Sequence, residues 1–389
     1  MRCRLEDIAS ILGDGLHGTP KYDENGEFYF INGNNLKNGE IVIKPETKRV
    51  SYNEYTKYRK NLTNRTIFIS INGTLGNIAV YKGEKVILGK SACYFNVKDE
   101  IDRDFIRYVV STDDFQEYIR RYANGTTIKN VSLRVMRDYE FNLPPLETQR
   151  AIAAILSALD AKIDNNTKIN NHLEKIAQAI FKSWFVDFEP WGGVMPNDWR
   201  EGTLSEICHY SSERISVSSL TLDTYISTEN MSANKSGFMS ATSLPTTSQT
   251  TAFFSGDTLV SNIRPYFKKI VYCDFAGGCS TDVLCFHPQK DNFSLYVYNV
   301  LFCDSFFDFM VAGCKGTKMP RGDKQQIMSY PVIIPTDVVL NDFINTVAPV
   351  NKHRLFLNDD SNQLAVLRDT LLPRLMSGEL SIADLEEAK

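Results

Sequence analysis

The sequence predicts an α+β chain made of two similar mixed α/β units and two long helices, the helices pairing as an antiparallel intramolecular coiled coil with an internal pseudo-two-fold repeat. Three observations predict it. Positions 191 apart correspond without gaps over more than a hundred residues: Ser70 with Ser261, Val80 with Val271, Phe95 with Phe286, Gly125 with Gly316, Pro144 with Pro335. Each copy ends in about forty residues with apolar side chains near a 3.5-residue period, the signature of a helix seeking a partner. Between these helices run short β-branched and aromatic segments bounded by Gly, Asn and Lys.

Taken in order, residues 1–142 open with four strand-like runs at 28–31, 67–71, 78–81 and 92–97, and the spacing of Phe105, Tyr108, Val109, Phe115, Tyr118 and Ile119 predicts one helix from Asp104 to Tyr122. Residues 143–190 hold the first long helix. Two prolines precede Glu147, no Gly or Pro follows for about forty residues, and Ile152, Leu156, Leu159, Ile163, Leu173, Ile180 and Trp184 form the stripe, with Asn166 and Asn170 as polar breaks. At ~1.5 Å per residue the helix is about 55 Å long. The stretch from Pro190 to Trp199 is a turn-rich linker, and residues 191–335 repeat the strand plan. Upstream the offset grows to 195 at Asn35 and Asn230 and to 199 at Leu5 and Leu204, so the second copy carries small insertions near its start. Residues 336–389 contain the second long helix, from about Val338 to Met376, striped by Phe343, Val347, Val350, Leu357, Leu364, Leu367 and Leu371, with Pro349 and Pro373 expected to bend or interrupt it. Antiparallel pairing is expected to set the two globular units at opposite ends of a rod.

The 389 residues are 43% hydrophobic and 23% charged, a folded composition. No apolar run has the length of a signal peptide or a membrane span, which makes the cytoplasm the expected location. The eight cysteines include no CxxC pair and are read as reduced, buried thiols, with neither zinc nor disulfides. Net charge is −4, but it divides as +3 over residues 1–146, −1 over 147–190, −2 over 191–335 and −4 over 336–389. The acid lies on the helices and tail, leaving globular units that tolerate a nucleic-acid partner.

The motifs LPPLETQRAIAAIL with LDAKID, LEKIAQAIFKSWFVDF and LRDTLLPRLMSGEL, on this duplicated plan, resemble the specificity subunits of type I restriction-modification systems across essentially the whole chain. The resemblance implies target-recognition domains at 1–142 and 191–335, each reading half of an asymmetric, bipartite double-stranded DNA site. It also implies spacer helices at 143–190 and 336–389 that bind two methyltransferase subunits and, through them, restriction subunits. A rod of ~50 Å spans about fifteen base pairs at ~3.4 Å each, so two heads at its ends would address segments about one helical turn apart centre to centre. The chain itself is expected to be non-catalytic. Asn142-Leu143-Pro144-Pro145 departs from an adenine-methyltransferase motif in both its spacing and its missing aromatic, and no phosphate-binding glycine loop follows a strand. No cofactor is expected on this chain; S-adenosylmethionine, ATP and Mg are expected on partner subunits. A coiled-coil adaptor whose globular ends bind proteins is the competing reading.

Four turns rich in Gly, Asn and Thr, at 13–21, 32–35, 72–77 and 124–130, supply the DNA-binding candidates of the first unit: Lys21, Asn32, Asn34, Asn35, Asn72, Thr74, Asn77, Thr126, Thr127 and Lys129. In the second unit the candidates are Ser227, Thr228, Asn230, Asn262, Arg264, Tyr266, Lys268, Lys269, Lys315, Thr317, Lys318 and Arg321, with basic residues interleaved with aromatics at 261–269. Asn and Arg suit bidentate reading of adenine and guanine, whereas Lys and Thr more often hold phosphate. Ile176, Phe181, Trp184, Phe185, Leu372 and Leu375 are the candidate anchors for the methyltransferase.

Overall fold

A computed structural model describes residues 2–125, 128–316 and 318–387. Two compact units emerge, one from residues 1–165 with 361–389 and the other from 166–360, so each contains one globular domain and one half of each long helix.

In the first unit a four-stranded antiparallel sheet runs in the order Ala9–Asp14, Ala92–Val97, Thr66–Ser70, Ile78–Val80. Its central strands are buried on both faces, which explains why they read as continuous apolar runs. Successive side chains alternate between two cores. Ile67, Ile69, Cys93 and Phe95 face the helical core, while Phe68, Ala92 and Tyr94 face a second core shared with Ile31, Val86 and Leu88. That second core lies beneath a three-stranded sheet in which Phe28–Ile31 pairs antiparallel with Arg49–Val50 and parallel with Val86–Leu88.

The second unit rebuilds this plan. Cys208–Tyr210, Val283–Pro288, Thr258–Ser261 and Ile270–Tyr272 form the four-stranded sheet in the same order, and Tyr225–Ile226 pairs parallel with Gly277–Cys279 as Phe28–Ile31 does with Val86–Leu88. The short helices Asp113–Arg121 and Leu133–Arg137 recur 191 positions later as Asp304–Ala312 and Lys324–Met328.

The helix expected from Asp104 to Tyr122 is two helices, Arg103–Val109 and Asp113–Arg121. Thr112 adopts an extended backbone (φ −64°, ψ 151°) and its hydroxyl accepts the Phe115 N–H at 3.3 Å, so it caps a new helix and stops the old one.

The long helices cover Leu146–Phe185 and Asp337–Ser377. Neither Pro349 nor Pro373 interrupts the second; both are exposed, where water can satisfy the carbonyl that each proline deprives of its donor. Within each unit the helices pack antiparallel. In the first, Asp160 meets Arg368 at 2.9 Å, and Ile152, Ala153 and Leu156 share a core with Leu375. In the second, Asn170 meets Asn358, Glu174 meets Arg354, and the Phe185 and Phe343 rings stand 5.0 Å apart. In every one of these polar and ring pairs the two residue numbers add to 528, a single register. The polar breaks maintain it, with Asn166 also donating to Asp360 at 2.7 Å.

This packing consumes several predicted anchors. Phe181, Phe185 and Leu375 are 3–5% exposed inside the unit cores, so they are unavailable to a partner subunit. Trp184 and Leu372 are half-buried against those cores, and Ile176 is exposed. Leu367, expected on the seam, is 46% exposed.

Candidate nucleic-acid interface

In the first unit the four predicted turns converge on the short loop between Val86–Leu88 and Ala92–Val97. The Leu16 N–H donates to the Leu88 carbonyl and the Lys90 N–H to that of Leu16, which ties down the 13–21 segment. Ser91 then acts as a hub. Its hydroxyl accepts the Gly33 N–H at 2.8 Å and donates to Asn32 Oδ1 at 3.0 Å, while its carbonyl accepts the N–H groups of Ile71 and Asn72. Gly33 is required here, because a Cβ at that position would lie 2.7 Å from the Ser70 Cβ. The last turn joins through the Gly73 N–H on the Lys129 carbonyl (3.0 Å) and Asn72 Nδ2 on Asn130 Oδ1 (3.1 Å).

Around this hub Lys21, Asn34, Thr74 and Lys129 are exposed, and Asn32, Asn72 and Asn77 are half-buried. Thr126 and Thr127 lie outside the described residues. Asn35 is corrected: 5% exposed, it accepts the Asn32 N–H through Oδ1 and donates to the Val42 carbonyl, so its amide holds the loop closed and cannot reach a ligand. Lys90, exposed on the hub loop, was missed. A single lysine in a strand-connecting turn carries no pattern, and only the convergence singles it out.

The second unit keeps the same backbone scaffold with different side chains. The Asn262 N–H donates to the Asp282 carbonyl (2.8 Å) as Ile71 does to Ser91, and the Arg264 N–H donates to the Pro320 carbonyl (2.8 Å) as Gly73 does to Lys129. The reciprocal backbone pair of Asn124 and Asn130 becomes that of Lys315 and Arg321.

Most of the candidate cations there are engaged within the unit. Lys268 and Lys235 share Asp304 Oδ1 at 2.8 Å each, Arg321 holds Asp282 at 3.0 Å, Lys315 holds Asp323, and Lys269 donates to the Thr228 carbonyl at 2.6 Å. Hydrogen bonds from the two lysines pull the Asp304 carboxyl down to about 2, and that from Lys315 lowers Asp323, so both anions persist at neutral pH. Asn230 is corrected as Asn35 is: 6% exposed, it takes the Ser227 N–H and donates to the Tyr225 and Met239 carbonyls. Asn262, 7% exposed, is likewise buried under the turn; Ser227 and Thr228 are half-buried. Thr317 lies outside the described residues. Arg264, Tyr266 and Lys318 remain exposed, and among the described residues the side chains of Arg264 and Lys318 make no hydrogen bond or ion pair.

Such a surface offers amide, guanidinium, ammonium and aromatic groups on a rigid backbone, which suits contact with bases and phosphates. Among the described residues, no three His, Cys, Asp or Glu side chains gather as a metal site, and the eight cysteines are free thiols.

Residues 1–175 match the family model of the type I restriction modification DNA specificity domain. That stretch, just under half of the chain, carries the DNA specificity domain of type I restriction-modification systems. It is 24% identical to the MjaIX specificity subunit of Methanocaldococcus jannaschii over 98% of this chain and 94% of that one. It is 39% identical to the HindI specificity subunit of Haemophilus influenzae over 89 residues, 22% of this chain and 19% of that one. The S subunit crystal structure from M. genitalium shares the fold, with TM-score 0.62 and 18% identity over 97% of this chain and 96% of that one. The chain carries its candidate nucleic-acid-contacting groups on two versions of one loop scaffold.

Proposed function

We propose that each recognition domain reads one part of an asymmetric, bipartite DNA site through its loop cluster, while the long helices hold methyltransferase subunits. One observation carries this reading. The duplicated scaffold keeps its backbone hydrogen bonds, yet Gly73 gives way to Arg264 with an exposed guanidinium, and Asn124 and Asn130 give way to Lys315 and Arg321, which pair with Asp323 and Asp282. Conserved geometry with exchanged side chains is what two readers of different sequences need.

The chain is itself non-catalytic and works in the cytoplasm; S-adenosylmethionine, ATP and Mg belong to the partner subunits, restriction subunits joining through the methyltransferase. Among the described residues no single helix is long and apolar enough to cross a membrane. For docking, exposure favours Ile176 and Phe356 in one unit and Val366 and Leu367 in the other, with Trp184 and Leu372 contributing their free edges.

Mapping methylated sites in DNA exposed to this chain and its methyltransferase tests the proposal. Exchange of residues 1–142 for another recognition domain should change one half of the target and leave the other. Methylation without sequence selectivity, or a target altered in both halves, would sink it, and the protein-binding adaptor would then be favoured. Docking is checked by co-purification: Ile176→Asp with Phe356→Asp should weaken capture of the methyltransferase while the fold stays intact.

A further inference from the structure

The backbone of the second recognition domain carries an unrewarded strain. Arg264 sits in the left-handed region (φ +49°, ψ +60°), where side chains other than glycine are penalised, and the first copy places Gly73 there at φ +75°. Lys268, at the other end of the same turn, is also left-handed (φ +49°), but its ammonium recovers the cost in the ion pair with Asp304. Arg264 recovers nothing inside the chain. Its N–H is held by the Pro320 carbonyl and its guanidinium is exposed, beside the exposed rings of Tyr266 and Phe267. Glycine is compatible with this turn, as its counterpart in the first copy demonstrates, so the arginine side chain is retained for contact outside the molecule.

From the geometry we infer that Arg264 is a specificity-determining residue that reads a guanine in the half-site of the second recognition domain. This rests on the DNA-reading proposal above and deepens it. Guanidinium is the group that pairs bidentately with guanine O6 and N7 in the major groove. The turn from Arg264 to Lys268 fixes the guanidinium's point of departure, and the neighbouring cations Lys268, Lys269 and Arg321 are held by carboxylates or a carbonyl and cannot substitute for it. In the first recognition domain Gly73 presents no side chain, so the guanine contact belongs to one half of the target only.

The test uses the full chain assembled with its methyltransferase, and methylated sites are mapped for the unaltered protein, Arg264→Ala and Arg264→Gly. The half-site unaffected by exchange of residues 1–142 belongs to the second domain. It should contain a G·C pair that the unaltered complex prefers about 10- to 100-fold and that both variants no longer distinguish, with the first half unchanged. Arg264→Gly should also raise the thermal midpoint by about 2–4 °C as the strain is released, showing that its effect is not misfolding. An unchanged motif with binding weakened equally on all sequences would mean that Arg264 holds phosphate and would overturn the assignment. If instead the unaltered complex selects no sequence, the DNA-reading proposal itself fails and takes this one with it.

Discussion

Arg354→Met tests the buried link between the long helices in the second unit. Glu174 on one helix and Arg354 on the other form an ion pair and are each 15% exposed. Burial lifts the Glu174 carboxyl above its ordinary value of 4.5, with the Arg354 cation opposing. Without Arg354 the carboxylate loses its ion-pair partner and keeps only the weaker pull of the Lys235 cation, and breaking a buried pair by removing one partner costs about 3–5 kcal/mol. Protonation limits the penalty: neutralising a carboxyl of ordinary value 4.5 at pH 7 takes about 3.4 kcal/mol, and at pH 5 only about 0.7. The sign follows from linkage. A group whose folded pKa is raised above its unfolded value loses stability as pH climbs from the unfolded to the folded value, so the variant should weaken steadily from pH 5 to 7. Denaturant titrations of the full chain, resolving the transition of residues 166–360, should show a deficit of about 3 kcal/mol at pH 7 that falls to about 1 at pH 5. Glu174→Leu with Arg354→Met should recover most of it. A deficit equal at both pH values, or none at all, would refute the argument.

Three further outcomes are expected. Asp160 is pressed upward by burial, but the Tyr108 and Arg368 hydrogen bonds and the Arg107 cation outweigh this and lower it; a depressed carboxylate contributes stability above its unfolded pKa that is lost as pH falls through the folded one. Asp160→Asn should therefore cost about 1–2 kcal/mol at pH 7, and the difference from the unaltered chain should shrink below about pH 4 in urea titrations. Gly33→Ala, forcing a Cβ to 2.7 Å from that of Ser70, should cost about 1–3 kcal/mol and degrade sequence selection in the first half-site alone, read by methylation mapping. Lys90→Ala should weaken DNA binding on all sequences and reduce the salt slope of log K by about 1, measured by fluorescence anisotropy across salt concentrations.

Particular residues show where sequence reading stops. The runs at 67–71 and 92–97 are visible as strands because β-branched and aromatic residues dominate them, yet which core each side chain enters follows from a second sheet formed by strands far apart in the chain. Phe181, Phe185 and Leu375 carry the same apolar signal whether they face an outside partner or the interior. Asn35 and Asn230 likewise resemble base readers in composition, and only their hydrogen bonds reveal them as loop closures.

The amino-acid order alone determined the duplication, the two long helices and the family plan, because these rest on periodicity and on pairwise identity at a constant offset. Tertiary structure decided the register of the helix pair, which cations are spent on neighbouring carboxylates, and which guanidinium is left pointing outward from a strained turn. Those outcomes depend on distances between residues remote along the chain, and burial and hydrogen bonding act on distance, which no local pattern encodes.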